Sequence, residues 1–258
     1  MLVEQQLFET RDKVAEAIQV LQELEPPEGY YLADSGGKDS DVILELARMS
    51  GVKFDDHHNL TTIDPPPEVI YHIREHHKET KIERPEVPFL QRMKNKGAPS
   101  RQVRWCCSEY KERGGDGRFV ITGVRSAESS KRAGRKMVEV CYRGGGKRYL
   151  NIIKHWSDED VWEFHKEYNV PYCKLYDEGW QRIGCLFCPL ASKTRLVEVE
   201  RFPRYRVLFE NAFIELYENK KAKKHTSVDR WKDGKDMFNW WISENRTSED
   251  PDQLVLFE

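Results

Sequence analysis

The segment Ser35-Gly36-Gly37-Lys38-Asp39-Ser40 constrains the fold of this chain more than any other part of its sequence. It follows Tyr30 to Ala33, a short apolar run that predicts a buried strand, and it precedes residues 41–49, where apolar positions recur at helical spacing. A glycine turn between a strand and a helix presents backbone N–H groups to an anion. Its spacing does not match the Walker A motif. We therefore predict a phosphate-binding loop of another type.

Six residues of this loop are candidate phosphate contacts: Ser35, Gly36, Gly37, Lys38, Asp39 and Ser40. We expect the backbone amides from Ser35 to Asp39 and the two serine hydroxyls to meet phosphate oxygens. Lys38 is expected to be a point charge beside them, with a lysine that points to solvent as the alternative. Asp39 is expected either to brace the loop or to face a metal ion.

The rest of the chain predicts alternating strands and helices. Strands are predicted over 30–33, 52–57, 118–123 and 149–153, and helices over 4–24, 41–49, from Pro66 onward, and over 158–168, 193–218 and 227–243. This alternation implies an α/β fold with a Rossmann-like parallel sheet flanked by helices. We predict a nucleotide-binding domain over 1–190, a helical C-terminal extension over 191–258, and a loose tail at 248–253.

Composition and charge narrow the class of protein. The chain has 258 residues, 38% hydrophobic and 33% charged, and no apolar run long enough for a membrane span. Because it shows no secretion signal, a cytoplasmic protein without a membrane partner is expected. Residues 91–148 hold 16 lysines and arginines against 5 aspartates and glutamates, although the whole chain has a net charge of −2. This basic segment predicts an anionic ligand, nucleic acid among the candidates, and a solvated basic face is the alternative.

Four of the six cysteines form two tight pairs, Cys106-Cys107 and Cys185-x-x-Cys188. In a chain of this length without a secretion signal, such pairs are more typical of metal ligands than of disulfides. A four-cysteine zinc site is usually built from two CxxC pairs, whereas adjacent cysteines suit a cluster with several metal corners. We predict a 4Fe-4S cluster, with zinc as the alternative, and ordinary packing for Cys141 and Cys173.

The loop resembles the PP-loop, SGGxDS, of the adenine nucleotide alpha-hydrolase-like superfamily. The cysteine pairs resemble the ligand set of cluster-bearing members of the phosphoadenylyl-sulfate (PAPS) reductase family. More of that family's pattern follows in order: 121–125 with 128, 129 and 132, then 155–157 with 160–162, then 175–179 with 182–184. The resemblance implies an adenine-nucleotide site in which Arg125, at a strand end, and Arg132 bind phosphate or sulfate. Arg135, Arg101, Arg104 and Lys111 are further candidates.

The resemblance implies two competing chemistries. The intact loop is similar to that of ATP pyrophosphatases, which implies that the chain binds ATP with Mg and adenylates an acceptor with release of pyrophosphate. It further implies cluster-assisted sulfur transfer from a sulfur donor protein. Lys38, Asp39 and Arg125 would have the catalytic roles. The alternative is a PAPS or adenylyl-sulfate reductase that needs thioredoxin, although no cysteine follows Cys188 in this sequence. A nucleotide-sensing module with a structural metal site is a third interpretation, and an oligomer is compatible with each.

A polar set between Asp55 and Asp64 also follows a predicted strand. Adjacent histidines such as His57 and His58 point to opposite faces of a strand, so they are poorly placed to share one metal ion. We therefore interpret this set as nucleotide contacts or as loop residues. The tryptophans near the C-terminus, Trp231, Trp240 and Trp241, are interpreted as helix packing.

Overall fold

A computed structural model describes residues 1–5, 10–61, 66–141, 145–191 and 194–243. Its contacts divide them into two compact units. The first contains the described residues of Met1–Leu60, Pro65–Arg84 and Glu112–Gly184, and the second those of Thr61–Asp64, Pro85–Lys111 and Cys185–Glu258. Residues 85–111 and 185–190 thus group with the C-terminal helices, whereas the sequence-based division placed them in the domain over 1–190.

The first unit is built on a six-stranded sheet. The strands of the described chain are β1 (Val3–Gln5), β2 (Thr10–Asp12), β3 (Tyr30–Ala33), β4 (Phe54–Asn59), β5 (Lys81–Glu83), β6 (Phe119–Ile121), β7 (Val138–Val140) and β8 (Arg148–Leu150). The sheet order is β5-β4-β3-β6-β8-β7, parallel except for the antiparallel edge strand β7. Strands β1 and β2 form a separate antiparallel pair. The α/β fold with a mainly parallel sheet is therefore as predicted.

The helices are α1 (Lys13–Glu23), α2 (Lys38–Ser50), α3 (Pro67–His76), α4 (Phe89–Lys96), α5 (Ser130–Ala133), α6 (Asp158–Glu167), α7 (Arg195–Arg201), α8 (Pro203–Ala222) and α9 (Gly234–Ile242). Of these, α4, α7, α8 and α9 belong to the second unit. None of the helices in the described ranges has both the length and the apolar character to cross a membrane.

Strand β3 lies at the centre of the first unit's core. Tyr30 and Leu32 on one face of the strand are fully buried, Tyr31 on the other face is also buried, and so are Val42 and Ile43 of α2. Burial on both faces is typical of an inner strand of a parallel sheet. The strand that precedes the glycine loop is therefore held rigidly, and so is the helix that follows it.

Two helix predictions were wrong in their bounds. The opening helix begins at Lys13 rather than at residue 4, because residues 3–5 pair with 10–12 and the Asp12 side chain caps the amides of Val14 and Ala15. Leu7, which supported the earlier start, lies outside the described residues. The helix predicted over 193–218 is divided between α7 and α8 before Pro203, which cannot donate a helical hydrogen bond. The predicted tail at 248–253 also lies outside the described residues.

Contacts between distant segments hold the second unit together. The Trp241 indole of α9 donates to the Pro99 carbonyl at 2.8 Å and stacks on Phe209 of α8, with ring centroids 5.8 Å apart. Lys94 of α4 forms an ion pair with Glu215 of α8. These contacts explain why residues 85–111 group with the C-terminal helices, and they agree with the interpretation of Trp241 as a packing residue.

Candidate functional site

The glycine loop connects β3 to α2 in a conformation that requires glycine. Gly36 has φ +65°, and a Cβ there would lie 2.4 Å from Val69 Cγ1 and 2.9 Å from Ile73 Cδ1. Gly123, at the end of β6, brings its backbone so close to α2 that a Cβ would lie 3.0 Å from the Asp39 carbonyl. The loop is therefore packed tightly between α3 and the end of β6.

The loop amides are already hydrogen-bonded within the first unit. The Gly36 amide donates to Asp34 Oδ1 at 2.7 Å, and the Gly37 amide donates to Ser40 Oγ at 3.0 Å. The Lys38 amide donates to the Tyr176 hydroxyl at 3.0 Å. An anion that takes the place predicted for it must displace such partners, Tyr176 above all, because that residue belongs to a distant part of the sequence.

Lys38 and Arg125 form an ion-pair network with two carboxylates at the N-terminus of α2. Lys38 Nζ lies 2.8 Å from Asp158 Oδ1 and 3.7 Å from Asp39 Oδ2. Arg125 donates to Asp39 Oδ1 at 2.5 Å and to Asp158 Oδ1 at 2.8 Å. Lys38 and Arg125 are buried, so the alternative in which Lys38 points to solvent is wrong. The network brings together the three residues predicted to be catalytic.

The two carboxylates of this network differ in their pKa. Burial raises the pKa of Asp39 above its ordinary value, against the opposing charges of Lys38 and Arg125. Burial acts in the same direction on Asp158, but hydrogen bonds from Lys38 and Arg125 outweigh it and lower the pKa. Asp158 was missed as a site residue, because an acidic residue in the first turn of a helix has a sufficient explanation as part of the helix N-terminus.

The other predicted arginines of the first unit have carboxylate partners of their own. Arg132 forms an ion pair with Glu128, and Arg135 donates to Glu139 at 2.6 Å while its guanidinium lies over the Tyr149 ring. Arg101, Arg104 and Lys111 are exposed and belong to the second unit. Among the predicted anion-binding arginines, Arg125 is thus the one that the described structure places at the loop.

All four paired cysteines belong to the second unit. They are half-buried and form no disulfide, and Cys107 opens a π-helical turn, Cys107–Lys111, a rare form that is frequent at functional sites. A hydrogen bond to Cys107, then burial, and then the charges of Cys107, Cys185 and Cys188 raise the pKa of the Cys106 thiol. The four thiols therefore lie close enough to act on one another.

Phe187 shapes the turn between Cys185 and Cys188. Its φ of +58° lies in the left-handed region, which is uncommon for a bulky residue. Its amide donates to Glu198 Oε2 at 2.5 Å, and its buried ring meets Phe209 edge-on with centroids 4.9 Å apart. Thiols on fixed turns are the ligands of iron-sulfur clusters. A single zinc ion fits less well, because no three of these four described sulfur atoms lie within 4.8 Å of one another.

A second buried cluster lies behind the loop, and sequence reasoning missed it. His77 Nδ1 is 2.6 Å from Asp34 Oδ2, and His77 Nε2 is 3.3 Å from Asp41 Oδ1. Despite burial, hydrogen bonds to Asp34 and Asp41 raise the pKa of His77 to about 10. His72 Nε2 lies 3.2 Å from the same Asp41 oxygen. An acidic residue one turn into α2 and two histidines at the end of α3 were the signals available in the sequence.

Most of the polar set lies within β4 rather than in a loop after it, and its side chains are divided between the two faces of the sheet, as predicted for His57 and His58. His57 stacks on Tyr31 with centroids 4.2 Å apart, whereas His58 is buried with Nδ1 3.0 Å from the Asp34 carbonyl. Burial and the charge of Asp34 raise the pKa of Asp56 to about 8. The part of this set at residues 62–64 lies outside the described residues.

The sequence of this chain is similar to a known protein family and to several curated proteins. A family model described as the phosphoadenosine phosphosulfate reductase domain matches residues 29–191, more than half of the chain. A curated protein of Methanocaldococcus jannaschii, named only as uncharacterized, is 31% identical over 156 residues, which cover 55% of this chain and 31% of that protein. The adenosine 5'-phosphosulfate reductase of Oceanobacillus iheyensis is 35% identical over 68 residues, 26% of this chain and 28% of that enzyme. The matches thus span about a third of these relatives.

A solved structure shares the fold. The crystal structure of PAPS reductase from Candida auris, a phosphate complex, superposes with a TM-score of 0.50 at 19% sequence identity. The superposition covers 66% of this chain and 88% of that one. Together with the sheet order, this confirms the predicted fold class, a Rossmann-like, mainly parallel sheet flanked by helices.

Proposed function

Because the chain belongs to the phosphoadenosine phosphosulfate reductase domain family, we propose that it is an enzyme that binds an adenine nucleotide and carries out sulfur transfer or reduction. Within that class we propose the ATP-dependent form. The loop binds the phosphates of ATP with Mg, and an acceptor oxygen attacks the α-phosphate with release of pyrophosphate. Nucleophilic sulfur from the donor then displaces AMP from the adenylated acceptor. The sulfur acceptor and a sulfur donor protein are its partners in this proposal.

The observation that carries the choice of ATP with Mg is the pair of carboxylates in the ion-pair network. Asp39 and Asp158 each lie within hydrogen-bonding distance of Arg125 beside the loop. Lys38 and Arg125 compensate these carboxylates in the structure. If both cations turn to a bound nucleotide, the two carboxylates keep a negative charge that repels phosphate unless a further cation stands between them. Oxygen ligands of this kind are the ones that Mg²⁺ prefers, so Asp39 and Asp158 would hold an ion that arrives with the nucleotide.

Lys38 and Arg125 have a role that follows from their charge. Both are buried next to the loop, where a fixed positive charge stabilises negative charge more strongly than it does in water. We propose that they neutralise the phosphates of the bound nucleotide and the charge that develops on the leaving pyrophosphate. Ser35 and Ser40, whose hydroxyl oxygens lie 3.1 Å apart, would complete the loop's contacts with phosphate.

Cys106, Cys107, Cys185 and Cys188 would hold the iron-sulfur cluster in this proposal. Such a cluster supplies an electron-transfer or sulfur-handling centre when bound. The chain itself contributes the fixed turn at Phe187 and the half-buried setting of the four thiols. Zinc at these thiols is the alternative, and it accompanies the third candidate, a nucleotide-sensing module with a structural metal site.

Turnover distinguishes the candidates directly. We expect pyrophosphate from ATP and Mg, at least a hundredfold less with Lys38→Ala, and an unchanged rate with Lys53→Ala, which alters an exposed lysine of the same unit. Sulfite formed from PAPS with thioredoxin would instead identify a reductase. Nucleotide binding without any turnover would identify a sensing module.

A binding measurement needs no knowledge of the sulfur acceptor. We expect Asp158→Asn to weaken the binding of ATP with Mg, because it removes an oxygen ligand of the Mg²⁺ ion. If the natural ligand is a sulfonucleotide bound without metal, the same substitution removes a repulsive charge and tightens binding. Isothermal titration with ATP and Mg, and separately with PAPS, gives opposite signs for the two proposals.

A further inference from the structure

The buried cluster behind the loop combines groups from two helices. Asp41 lies one turn into α2, His72 lies in α3, and His77 follows the last residue of α3. The three residues are between 1% and 5% exposed and belong to the first unit. Two imidazoles and one carboxylate form a typical ligand set for zinc and related ions.

The distances in this cluster suit one metal ion. Asp41 Oδ1 lies 3.2 Å from His72 Nε2 and 3.3 Å from His77 Nε2, and one ligand atom from each of the three residues lies within 4.8 Å of the others. Bonds of about 2.0–2.1 Å in a tetrahedral site separate neighbouring ligand atoms by about 3.3 Å. The two distances from Asp41 are thus about those that a zinc ion would impose, and the ligand atoms of the two histidines lie no more than 4.8 Å apart.

The far side of His77 supports the same interpretation. Its Nδ1 is 2.6 Å from Asp34 Oδ2, so a hydrogen bond there directs Nε2 toward Asp41. A carboxylate behind a histidine is the usual arrangement at metal-binding histidines, where it fixes the ring and increases its basicity. Asp34 also accepts from the Gly36 amide at 2.7 Å, which links the cluster to the loop.

An independent observation comes from the second oxygen of Asp41. In the described part of the chain, Asp41 Oδ2 is buried without a hydrogen-bond partner. A buried carboxylate oxygen without a partner is costly, and a cation next to it removes that cost. The hydrogen bonds between Asp41 and the histidines leave this oxygen unexplained.

We propose that Asp41, His72 and His77 bind one divalent transition-metal ion of the zinc class, with Asp34 orienting His77. The site is separate from the four cysteines and does not depend on the proposed function. By joining α2 to α3 directly behind the phosphate-binding loop, the ion holds the N-terminal turn of α2 in place. The overlapping group of Asp34, Asp56 and His77 lacks His72, so a substitution of His72 distinguishes the two arrangements.

The test measures metal content in the full chain. Wild type, His72→Ala, Asp41→Asn and His76→Ala are loaded with zinc, freed of weakly bound metal and analysed by mass spectrometry. We expect His72→Ala and Asp41→Asn to hold one zinc fewer per chain than the wild type. His76→Ala serves as the matched control, because His76 lies in the same helix with a side chain 34% exposed, and it should keep the full content.

Cobalt identifies the ligands of the metal that is lost. The difference spectrum between wild type and His72→Ala should show the visible bands of tetrahedral cobalt without the sulfur-to-cobalt charge-transfer band that the cysteines would produce. Equal metal content in wild type and folded His72→Ala would overturn the proposal, as would a sulfur band in the difference spectrum. Should both substitutions unfold the chain, wild type with alkylated cysteines decides: one cobalt per chain supports the site, and none refutes it.

Discussion

At the scale of single residues, Gly36 is a position in the loop where both the backbone conformation and the packing exclude a side chain. Its positive φ is shared with Gly51, the residue that ends α2, but a Cβ at Gly51 would meet nothing within 4 Å. The two glycines therefore separate the cost of the backbone conformation from the cost of the collision with Val69 and Ile73.

We expect Gly51→Ala to lower the free energy of unfolding by about 1 kcal/mol, the cost of a left-handed alanine. Gly36→Ala should lower it by about 2–4 kcal/mol, since crowding in a packed site adds to the backbone cost. Urea denaturation of both variants measures the difference. Equal losses would mean that the side chains of Val69 and Ile73 move aside at no cost.

Tyr176 is the second residue whose substitution should have a measurable effect, here on nucleotide binding. Its hydroxyl accepts a hydrogen bond from the Lys38 amide at 3.0 Å. A phosphate oxygen that binds this amide must displace the hydroxyl. We expect Tyr176→Phe to tighten nucleotide binding about two- to tenfold, the range of one ordinary hydrogen bond. Tyr172→Phe is the control, since that hydroxyl donates to Asp177. Weaker binding by Tyr176→Phe in calorimetry would instead make Tyr176 a ligand contact.

At the scale of elements, the start of α6 holds a buried charge. Asp160 accepts from the Ser157 amide and from Lys13, each at 2.7 Å. Burial alone would raise the pKa of Asp160, but these hydrogen bonds outweigh it and lower the pKa to about 2. The carboxylate thus links α6 to the first residue of α1.

The pKa shift of Asp160 sets a pH dependence. A carboxyl group whose pKa is lower in the folded state than in the unfolded state stabilises the fold at neutral pH, and this contribution disappears as the pH falls from about 4 to about 2. We expect the wild type to lose about 1–2 kcal/mol of unfolding free energy over this range from this group. Asp160→Asn should be less stable at pH 7 and should show a smaller slope in urea denaturation at acidic pH. An identical slope in both proteins would contradict the assignment.

At the scale of the whole molecule, the basic segment over 91–148 is divided between the two units and many of its charges are paired. Its residues belong to both units. At least half of its basic side chains form ion pairs with carboxylates, namely Arg92, Lys94, Lys96, Arg118, Arg125, Arg132, Arg135 and Lys147. Each pair reduces the charge that remains for a polyanion.

The predicted contact with nucleic acid can be tested through its salt dependence. Because so many of these charges are paired, we expect weak binding of DNA and RNA and a shallow slope of log K against log salt, equivalent to a few phosphates at most. Fluorescence anisotropy of labelled oligonucleotides over a range of salt concentrations measures this slope. A steep slope would show that the ion pairs open and that the segment follows a nucleic-acid backbone.

The sequence by itself determined the features that depend on neighbouring residues. The loop, the strand before it and the helix after it follow from apolar spacing and from glycines within a few positions. The cysteine pairs and the bounds of α6 are equally local, since the Ser157 cap lies next to the helix that it starts. The fold class followed because alternating strands and helices have few ways to pack.

Only the tertiary structure decided which distant residues meet. The Lys38 side chain pairs with Asp158, 120 residues away in the sequence, and its amide donates to Tyr176, 138 residues away. These contacts depend on the sheet order, in which β6 and β8 lie on one side of β3 while β4 lies on its other side. His77 reaches Asp34 and Asp41 because α3 packs against the loop, as the atoms around Gly36 show. Local patterns carry no information about such packing, since the free energy that selects it comes from burial of the whole core.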